Sequence, residues 1–170
     1  LPIVLKVPDG AFSLGVVKVK DRETLLEQAE QIFQHSALIL AQAFMPTDYD
    51  WRIGVLNRQP IYACRYFMSR GHWQIYQHHQ SGRVSSGDFD CVDLKMVPHH
   101  IVDAAVKASN LIGNGLYGVD LKEIDGKAYV IEVNDNPSID HGVEDLFLGD
   151  LVYDRVMTEF LRRIQLRGMS

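Results

Sequence analysis

The sequence is poor in cysteine, with only Cys64 and Cys91 among 170 residues. Two cysteines make no disulfide framework, and these two lack the spacing of a metal site. We therefore expect two buried, reduced thiols in a cytoplasmic protein. No apolar run approaches the roughly 20 residues that span a bilayer. The first residues lead into alternating strand residues rather than a basic head and an apolar block, so no signal peptide is visible in this sequence. We expect no membrane partner.

The sequence also lacks an excess of positive charge, since its formal net charge is −5. A general nucleic-acid binder usually carries a basic face, so we expect no general nucleic-acid binding. No glycine-rich loop opens a helix with the GK[ST] pattern of a P-loop, and no Ser–His–Asp or Cys–His set stands out as a nucleophilic centre. The remaining composition, 46% hydrophobic and 23% charged, is that of a globular chain with enough apolar residues for a core.

Periodicity predicts an α+β fold of antiparallel strands with helices packed on one side. Expected helices begin at Asp21, Pro98 and about Asp150, and the polar segment 82–90 is expected to be mobile. A boundary between two lobes is expected within 45–49. Strands are expected at 2–7, 15–20, 37–44, 50–56, 60–68, 73–78, 116–124 and 128–133.

The strongest local evidence for a functional site is in the hairpin GVDLKEIDGKAYVIEVNDNPS, residues 118–138. If Asp125-Gly126-Lys127 is a three-residue turn, Ile124 pairs with Ala128 and Asp120 lies opposite Glu132. Asn134 then shares their face of the sheet. Two carboxylates facing each other between apolar neighbours repel, and a hard cation relieves that repulsion. Two carboxylates and an amide oxygen suit Mg²⁺.

An alternative interpretation places Asp120 and Glu132 in solvent, paired with Lys122 or Lys127. The polar loop that follows, Asn134-Asp135-Asn136-Pro137, favours the metal site because charged ligands commonly bind at strand ends.

Lys6 is the only charged residue in an apolar strand, so it is either an edge residue or has a defined role. Gly10 and Gly15 bracket the loop that follows it. Such a loop can place backbone N–H groups over phosphates. Taken alone, the two glycines are equally typical of an ordinary hairpin. Because Lys6 lies beside the loop, the loop is a candidate for binding phosphate groups.

Taken in order, four segments resemble the ATP-grasp superfamily, and within it the RimK-like α-L-glutamate ligases. The segments are LKVPDGAFSLGVV, LILAQAFMPTDYDWRIGV, ACRYFMSRGHWQI and GVDLKEIDGKAYVIEVNDNPS. The resemblance implies two lobes that sandwich a nucleotide. Residues 1–44 would be part of the lid lobe, and residues 45–170 the C-terminal lobe with the hinge and the metal site.

For the nucleotide, the resemblance implies that Lys6 contacts the phosphates and that the loop from Gly10 to Gly15 closes over them. The hinge would be formed by Gln42, Ala43, Phe44 and Met45. Backbone groups of Ala43 and Phe44 would bind the edge of the adenine. The side chains of Phe44 and Met45 would line the adenine pocket. Asp50 would bond the ribose. Relatives commonly have Glu where this chain has Ala43, which leaves a backbone contact but no side-chain contact.

For the reaction, the resemblance implies that Arg52 and Arg65 face the γ-phosphate and the acyl phosphate formed from it. Asn136 would lie close to the transferred phosphate or the substrate. Asp120, Glu132 and Asn134 would hold Mg²⁺, with Mn²⁺ as an alternative ion. Without the resemblance, Arg52 and Arg65 are interpreted as surface partners of nearby aspartates.

The implied activity is ligation of a carboxylate to an amine through an acyl phosphate, adding glutamate to a protein or peptide. Alternatives are a non-catalytic ATP-binding relative, favoured by Ala43, or another ATP-grasp peptide synthetase. The expected partners are ATP, an amino acid and a carboxylate acceptor, with a homo-oligomer as a further option. We expect an N-terminal segment of the same polypeptide to be needed for ligation, since relatives have an earlier lysine and an N-terminal domain.

Overall fold

The structure is a computed structural model that describes residues 2–8, 14–78 and 81–168. The chain divides into two compact units. The first comprises residues Leu1–Pro46 and Ser69–Ser86, and the second comprises Thr47–Met68 and Gly87–Ser170. The boundary after Pro46 lies within the expected linker, but the first unit also takes in a later segment. The functional division into lid and C-terminal lobes stays a prediction.

The first unit contains a three-stranded antiparallel sheet in the order β2-β1-β3, formed by β1 (Ile3–Lys6), β2 (Val17–Val19) and β3 (Leu40–Ala43). Helix α1 (Arg22–Phe33) begins after Asp21, whose carboxylate accepts a 2.8 Å hydrogen bond from the Thr24 amide, as expected of a cap. Leu5, Val19 and Ile32 form its core. A separate hairpin joins β6 (Tyr76–His78) to β7 (Val84–Ser86).

The second unit is built on a five-stranded antiparallel sheet in the order β10-β9-β4-β5-β8. Its strands are β4 (Tyr49–Leu56), β5 (Gln59–Phe67), β8 (Phe89–Val92), β9 (Leu116–Ile124) and β10 (Lys127–Asn134). Its helices are α2 (His99–Ile112) and α3 (Leu151–Arg167), with a 3₁₀ turn at Leu94–Met96. No helix in the described part of the chain combines the length and apolar character needed to cross a membrane.

Helices cover both faces of this sheet. On one face, Ile53 and its neighbours pack against Ile101 and Ala105 of α2. On the other, Tyr62 and Cys64 pack against Val152 of α3. The antiparallel α+β class is therefore confirmed, while the expectation of helices on one side only is wrong for this unit.

Two local expectations are also wrong. Segment 37–44 was expected to be a buried strand, but β3 is an edge strand of its sheet and three of its four residues are exposed. Segment 82–90 was expected to be a mobile loop, but it contains β7 and the start of β8. Its polar side chains do not prevent strand pairing, because one face of an antiparallel sheet can be exposed to water.

The two cysteines form a disulfide, so the expectation of reduced thiols is wrong. Cys64 in β5 lies directly opposite Cys91 in β8, and their Cα atoms are 4.0 Å apart. The residues are 27 positions apart in the sequence, and only the strand pairing brings them together.

Candidate metal site on the central sheet

The β9–β10 hairpin brings Asp120 and Glu132 opposite each other, as expected, but by a different route. Its turn has two residues, Asp125 and Gly126, with φ of 52° and 69°, and Ile124 pairs with Lys127 rather than with Ala128. Positive φ at both central residues is what a type I′ turn requires. A β-bulge between Val130 and Glu132 then adds one residue to β10 and restores the register.

Asp120 is held by a bidentate ion pair with Arg52 of the adjacent strand β4. Arg52 Nε lies 2.5 Å from Asp120 Oδ1, and Nη2 lies 2.8 Å from Oδ2. The side-chain amide of Asn134 approaches the same carboxylate at 3.4 Å and the Gly118 carbonyl at 3.3 Å. Asp120, Glu132 and Asn134 thus share one face of the sheet, with Arg52 beside them.

The electrostatics of this cluster favour a further cation. Burial raises the pKa of the Asp120 carboxyl, Arg52 opposes that rise, and the negative charges of Glu132 and Asp50 add to it. Although burial disfavours the charged guanidinium, the Asp120 carboxylate raises the pKa of Arg52 above its ordinary value. Three carboxylates, Asp120, Glu132 and Asp50, therefore lie close together on this face beside the Arg52 guanidinium. Such a group of carboxylates is the kind of environment in which a divalent ion can bind.

Asp50 belongs to a second ion pair on the same face. Its carboxylate oxygen Oδ1 lies 2.5 Å from Lys122 Nζ and accepts a 2.9 Å hydrogen bond from the Thr47 hydroxyl. Lys122 Nζ also donates to the Thr47 hydroxyl at 2.7 Å. Sequence reasoning considered Lys122 only as a partner for Asp120 or Glu132. Its position two residues after Asp120 was the available signal, because alternate strand residues share a face.

The structure separates Arg65 from this cluster, which corrects the expectation that Arg52 and Arg65 face one phosphate. In the β4–β5 pair, Arg52 lies opposite Cys64, and Arg65 lies opposite Trp51. Side chains of adjacent residues in a strand point to opposite faces, so Arg65 lies on the face covered by α2. There its guanidinium pairs with Asp90 at 2.5 Å and lies 5.3 Å from the Tyr49 ring centroid.

The residues after β10 pack closely on the site. A Cβ atom added at Gly118 would come within 2.8 Å of the Pro137 side chain and 3.3 Å of Arg52 Cδ. Glycine at this position therefore allows Pro137 and Arg52 to approach the same point of β9. Asn136, one residue before that contact, is exposed.

Sequence reasoning missed two residues that border this cluster, Tyr66 and Glu144. The Tyr66 hydroxyl donates a hydrogen bond to the Glu144 carboxylate, and the Tyr66 ring centroid lies 5.4 Å from the Arg52 guanidinium carbon. Glu144 is only 1% exposed. Buried carboxylates are rare unless they are paired or hydrogen-bonded. Nothing in the local sequence distinguishes Glu144 from the surface acids of a polar loop.

The remaining candidate residues lie in the first unit. Lys6 is in β1, the central strand of its sheet, so it is not an edge residue. Gly15 has a φ of 69°, which favours glycine. Gly10 lies outside the described residues.

The hinge candidates continue from β3 into the chain that follows it. Gln42 of β3 pairs with Val4, and Ala43 pairs with Ile3. Met45 is half-buried.

Phe44 is the hinge candidate with the clearest surroundings. Its ring packs edge-on against Trp73 with centroids 5.7 Å apart, and Lys18 Nζ lies 4.2 Å from its centroid.

Within residues 2–8, 14–78 and 81–168, no three His, Cys, Asp or Glu side chains gather closely enough to hold a metal ion. The candidate set contains two carboxylates and one amide, which is the donor chemistry that Mg²⁺ accepts together with water and phosphate oxygens. The donor set therefore fits Mg²⁺ and does not resemble a closed zinc site.

Comparison with known proteins finds a matching family model and several related ligases. Residues 1–141 match the family model described as D-ala D-ala ligase C-terminus. A probable alpha-L-glutamate ligase of Aliivibrio salmonicida is 28% identical over 145 residues, which are 84% of this chain and 45% of the relative. A D-alanine–D-alanine ligase of Pediococcus pentosaceus is 28% identical over 140 residues, covering 81% of this chain and 39% of the relative. The chain thus spans less than half the length of these curated relatives.

Among solved structures, the D-alanine–D-alanine ligase of Bacillus anthracis complexed with ATP aligns with a TM-score of 0.73. The alignment covers 99% of this chain and 56% of that protein at 16% sequence identity, so it supports the fold alone. Because the family model matches most of the chain, the chain belongs to the D-ala D-ala ligase C-terminus family, whose fold is that of the ATP-grasp ligases.

Proposed function

We propose that this chain contributes the metal and phosphate site of an ATP- and Mg²⁺-dependent carboxylate–amine ligase. The observation that supports this most directly is the convergence of Asp120, Glu132 and Asn134 on one sheet face beside the Asp120–Arg52 ion pair. Family membership makes ATP-dependent ligation the expected use of such a cluster.

In the proposed reaction, a carboxylate oxygen attacks the γ-phosphorus of ATP, the bond to the β-phosphate oxygen breaks, and an acyl phosphate and ADP form. An amine then attacks the acyl carbon, and phosphate leaves as the amide forms and the amine loses a proton. Catalysis of this kind depends on positioned cations rather than on a protein nucleophile.

Mg²⁺, or Mn²⁺ in its place, would be held by Asp120, Glu132 and Asn134 and would supply neutralisation of phosphate charge. Arg52 is proposed to offer its guanidinium to the transferred phosphate. Its bidentate contact with Asp120 fixes the guanidinium plane, and planar arginine donors suit phosphate oxygens. Asn136, exposed after β10, is proposed to lie near the substrate.

The first unit is proposed to contribute nucleotide contacts as part of the lid lobe. Lys6 and the loop bounded by Gly10 and Gly15 would contact phosphates. The hinge contacts would come from Gln42, Ala43, Phe44 and Met45. The edge position of β3 suits a backbone contact to adenine, since one side of an edge strand faces away from its sheet.

In the second unit, Asp50 is proposed to bond the ribose. Its ion pair with Lys122 would fix the orientation of the carboxylate for that contact.

The proposed amino-acid substrate is glutamate, added to a carboxylate of a protein or peptide. The name of the Aliivibrio salmonicida relative supports this choice. The equally similar D-alanine–D-alanine ligase makes another peptide synthetase the second candidate. A non-catalytic ATP-binding relative is the third, because Ala43 removes one side-chain contact expected of the hinge.

The test is to supply the full-length protein with ATP, Mg²⁺ and a panel of amino acids with peptide acceptors, and to measure phosphate release and product mass. Glutamate-dependent phosphate release with a matching mass increase would support the proposal. Release that depends on D-alanine would favour the second candidate. ATP binding without amino-acid-dependent release, under every acceptor tried, would contradict ligase activity.

A further inference from the structure

Tyr66 supports Arg52 from the neighbouring strand. In the β4–β5 pair, Tyr66 lies opposite Asp50 and Cys64 lies opposite Arg52, so the Tyr66 and Arg52 side chains are diagonal neighbours on one face. The guanidinium carbon lies 5.4 Å from the Tyr66 ring centroid, within the range of a cation–π contact. The ring therefore supports one side of a guanidinium whose Nε and Nη2 atoms bind Asp120.

Glu144 fixes the orientation of that ring. One carboxylate oxygen accepts a hydrogen bond from the Tyr66 hydroxyl, and the other accepts a 2.8 Å hydrogen bond from the Asp140 amide. Both oxygens are thus engaged, although Glu144 is 78 residues away from Tyr66 in sequence. Burial and the Glu144 contact both raise the pKa of Tyr66, so the phenol stays protonated and remains a donor.

The turn that carries Glu144 is held independently by the next residue. Asp145 is 5% exposed and accepts hydrogen bonds from the Gly142 amide at 2.6 Å and the Tyr153 hydroxyl at 3.2 Å. Asp145 does not contact Tyr66 or Arg52 through any of these bonds. The turn therefore contains two buried carboxylates. Glu144 links the turn to the Tyr66 hydroxyl, and Asp145 holds the turn without contacting Tyr66.

Burial of a carboxylate is energetically unfavourable, because the ion loses hydration that hydrogen bonds only partly replace. A turn that needed only packing would use an apolar residue at position 144. Glu144 lies at the end of a series of contacts that runs through Tyr66 and Arg52 to Asp120. This series is a reason for a buried carboxylate at position 144.

We propose that Tyr66 and Glu144 are positioning residues that hold the Arg52 guanidinium in the orientation needed beside Asp120. The catalytic part of this inference rests on the proposed function, because it assumes that Arg52 acts on the transferred phosphate. The structural part, restraint of the guanidinium, does not.

The kinetic test compares Tyr66→Phe and Glu144→Gln with the matched control Tyr153→Phe. This control removes a hydroxyl of α3 that donates to Asp145 of the same turn. Loss of a hydrogen bond that acts in the transition state lowers kcat without raising KM. We expect kcat for amino-acid-dependent phosphate release to fall about tenfold in Tyr66→Phe, with KM for ATP unchanged. Tyr153→Phe should stay within about twofold of the unmodified protein. Equal losses in Tyr66→Phe and Tyr153→Phe would show a role in turn stability only and would overturn the proposal.

A second readout needs no turnover. In ¹⁵N-arginine-labelled protein, the Arg52 Hε signal, assigned with Arg52→Lys, should exchange with water at least about tenfold faster in Tyr66→Phe and Glu144→Gln than in Tyr153→Phe. Unchanged Hε exchange overturns the positioning role whatever the kinetics. Faster exchange with unchanged kcat in an active protein overturns the catalytic part of the inference, because the restraint would then not act in the reaction. If the unmodified protein shows no ligation, the proposed function fails, and the Hε exchange measurement alone decides the positioning role. If the Tyr66→Phe variant does not fold, both measurements are decided by Glu144→Gln.

Discussion

Arg52 holds both carboxylate oxygens of Asp120, at 2.5 Å and 2.8 Å, and both side chains are mostly buried, with 20% and 18% exposure. The pair that Arg65 makes with Asp90 is similar in chemistry but is 31% and 41% exposed. The two arginines come from the paired strands β4 and β5, and their ion pairs lie on opposite faces of the sheet. They therefore allow a direct comparison of buried and exposed ion pairs in one protein.

We expect Arg52→Ala to lower the free energy of unfolding by about 3 kcal/mol, because it leaves a largely buried carboxylate without its partner. Arg65→Ala should cost less than about 1 kcal/mol, as solvent-screened pairs do. Urea unfolding in EDTA measures both. The double variant Arg52→Ala/Asp120→Ala should recover part of the loss. Equal destabilisation by Arg52→Ala and Arg65→Ala would contradict this account.

Glu132→Gln should weaken Mn²⁺ binding at least about tenfold, since it removes one of two anionic ligands. The measurement is electron paramagnetic resonance titration of free Mn²⁺, with circular dichroism to check the fold. Glu123→Gln is the matched control on the same hairpin, because Glu123 instead accepts hydrogen bonds from Trp51 at 3.4 Å and His100 at 2.8 Å. A parallel loss of Mn²⁺ affinity in Glu123→Gln would argue for diffuse charge rather than a defined site.

Reduction of the Cys64–Cys91 disulfide should lower the free energy of unfolding by about 3.5 kcal/mol, the value typical of a loop of this length. Urea unfolding with and without dithiothreitol measures the difference, and thiol titration of the unfolded protein counts the released groups. Cys64→Ala/Cys91→Ala should be insensitive to dithiothreitol. If the untreated protein, once unfolded, already titrates two thiols, the disulfide is absent.

Glu159 should remain ionised at unusually low pH. Hydrogen bonds from Arg162 at 2.8 Å and Arg163 at 2.7 Å lower the pKa of its carboxyl to about 2. A lowered pKa contributes stability above the pKa of the unfolded chain and loses it as pH falls toward about 2. Carbon-13 titration of the Glu159 carboxyl checks the pKa directly. Protonation of Glu159 is expected to cause part of the fall in Tm between pH 4.5 and pH 2. The Glu159→Gln variant should therefore show a smaller fall in Tm over this pH range.

The sequence allowed prediction of the antiparallel class, the three helices and the shared face of Asp120 and Glu132, because apolar periodicity and strand alternation are local signals. The resemblance placed Arg65 beside Arg52, but the pairing of β4 with β5 puts the two side chains on opposite faces. The Glu144 contact was not predictable in this way, because it depends on a turn that folds back over residues far away in sequence. The disulfide depended likewise on the pairing of β5 with β8, which no local pattern specifies.

Both hairpins of the large sheet contain a two-residue turn followed by a bulge. In one, Asn57 and Arg58 have positive φ and Ile61 is the extra residue; in the other, the turn at Asp125 is followed by Ile131. A relative with a three-residue turn and no bulge would pair the same residues beyond the bulge. When homologous hairpins are aligned, a gap at the turn should therefore be matched by an opposite gap at the bulge. Only the few positions between the turn and the bulge move to a different alignment column, while Glu132 and Tyr66 stay in the same column.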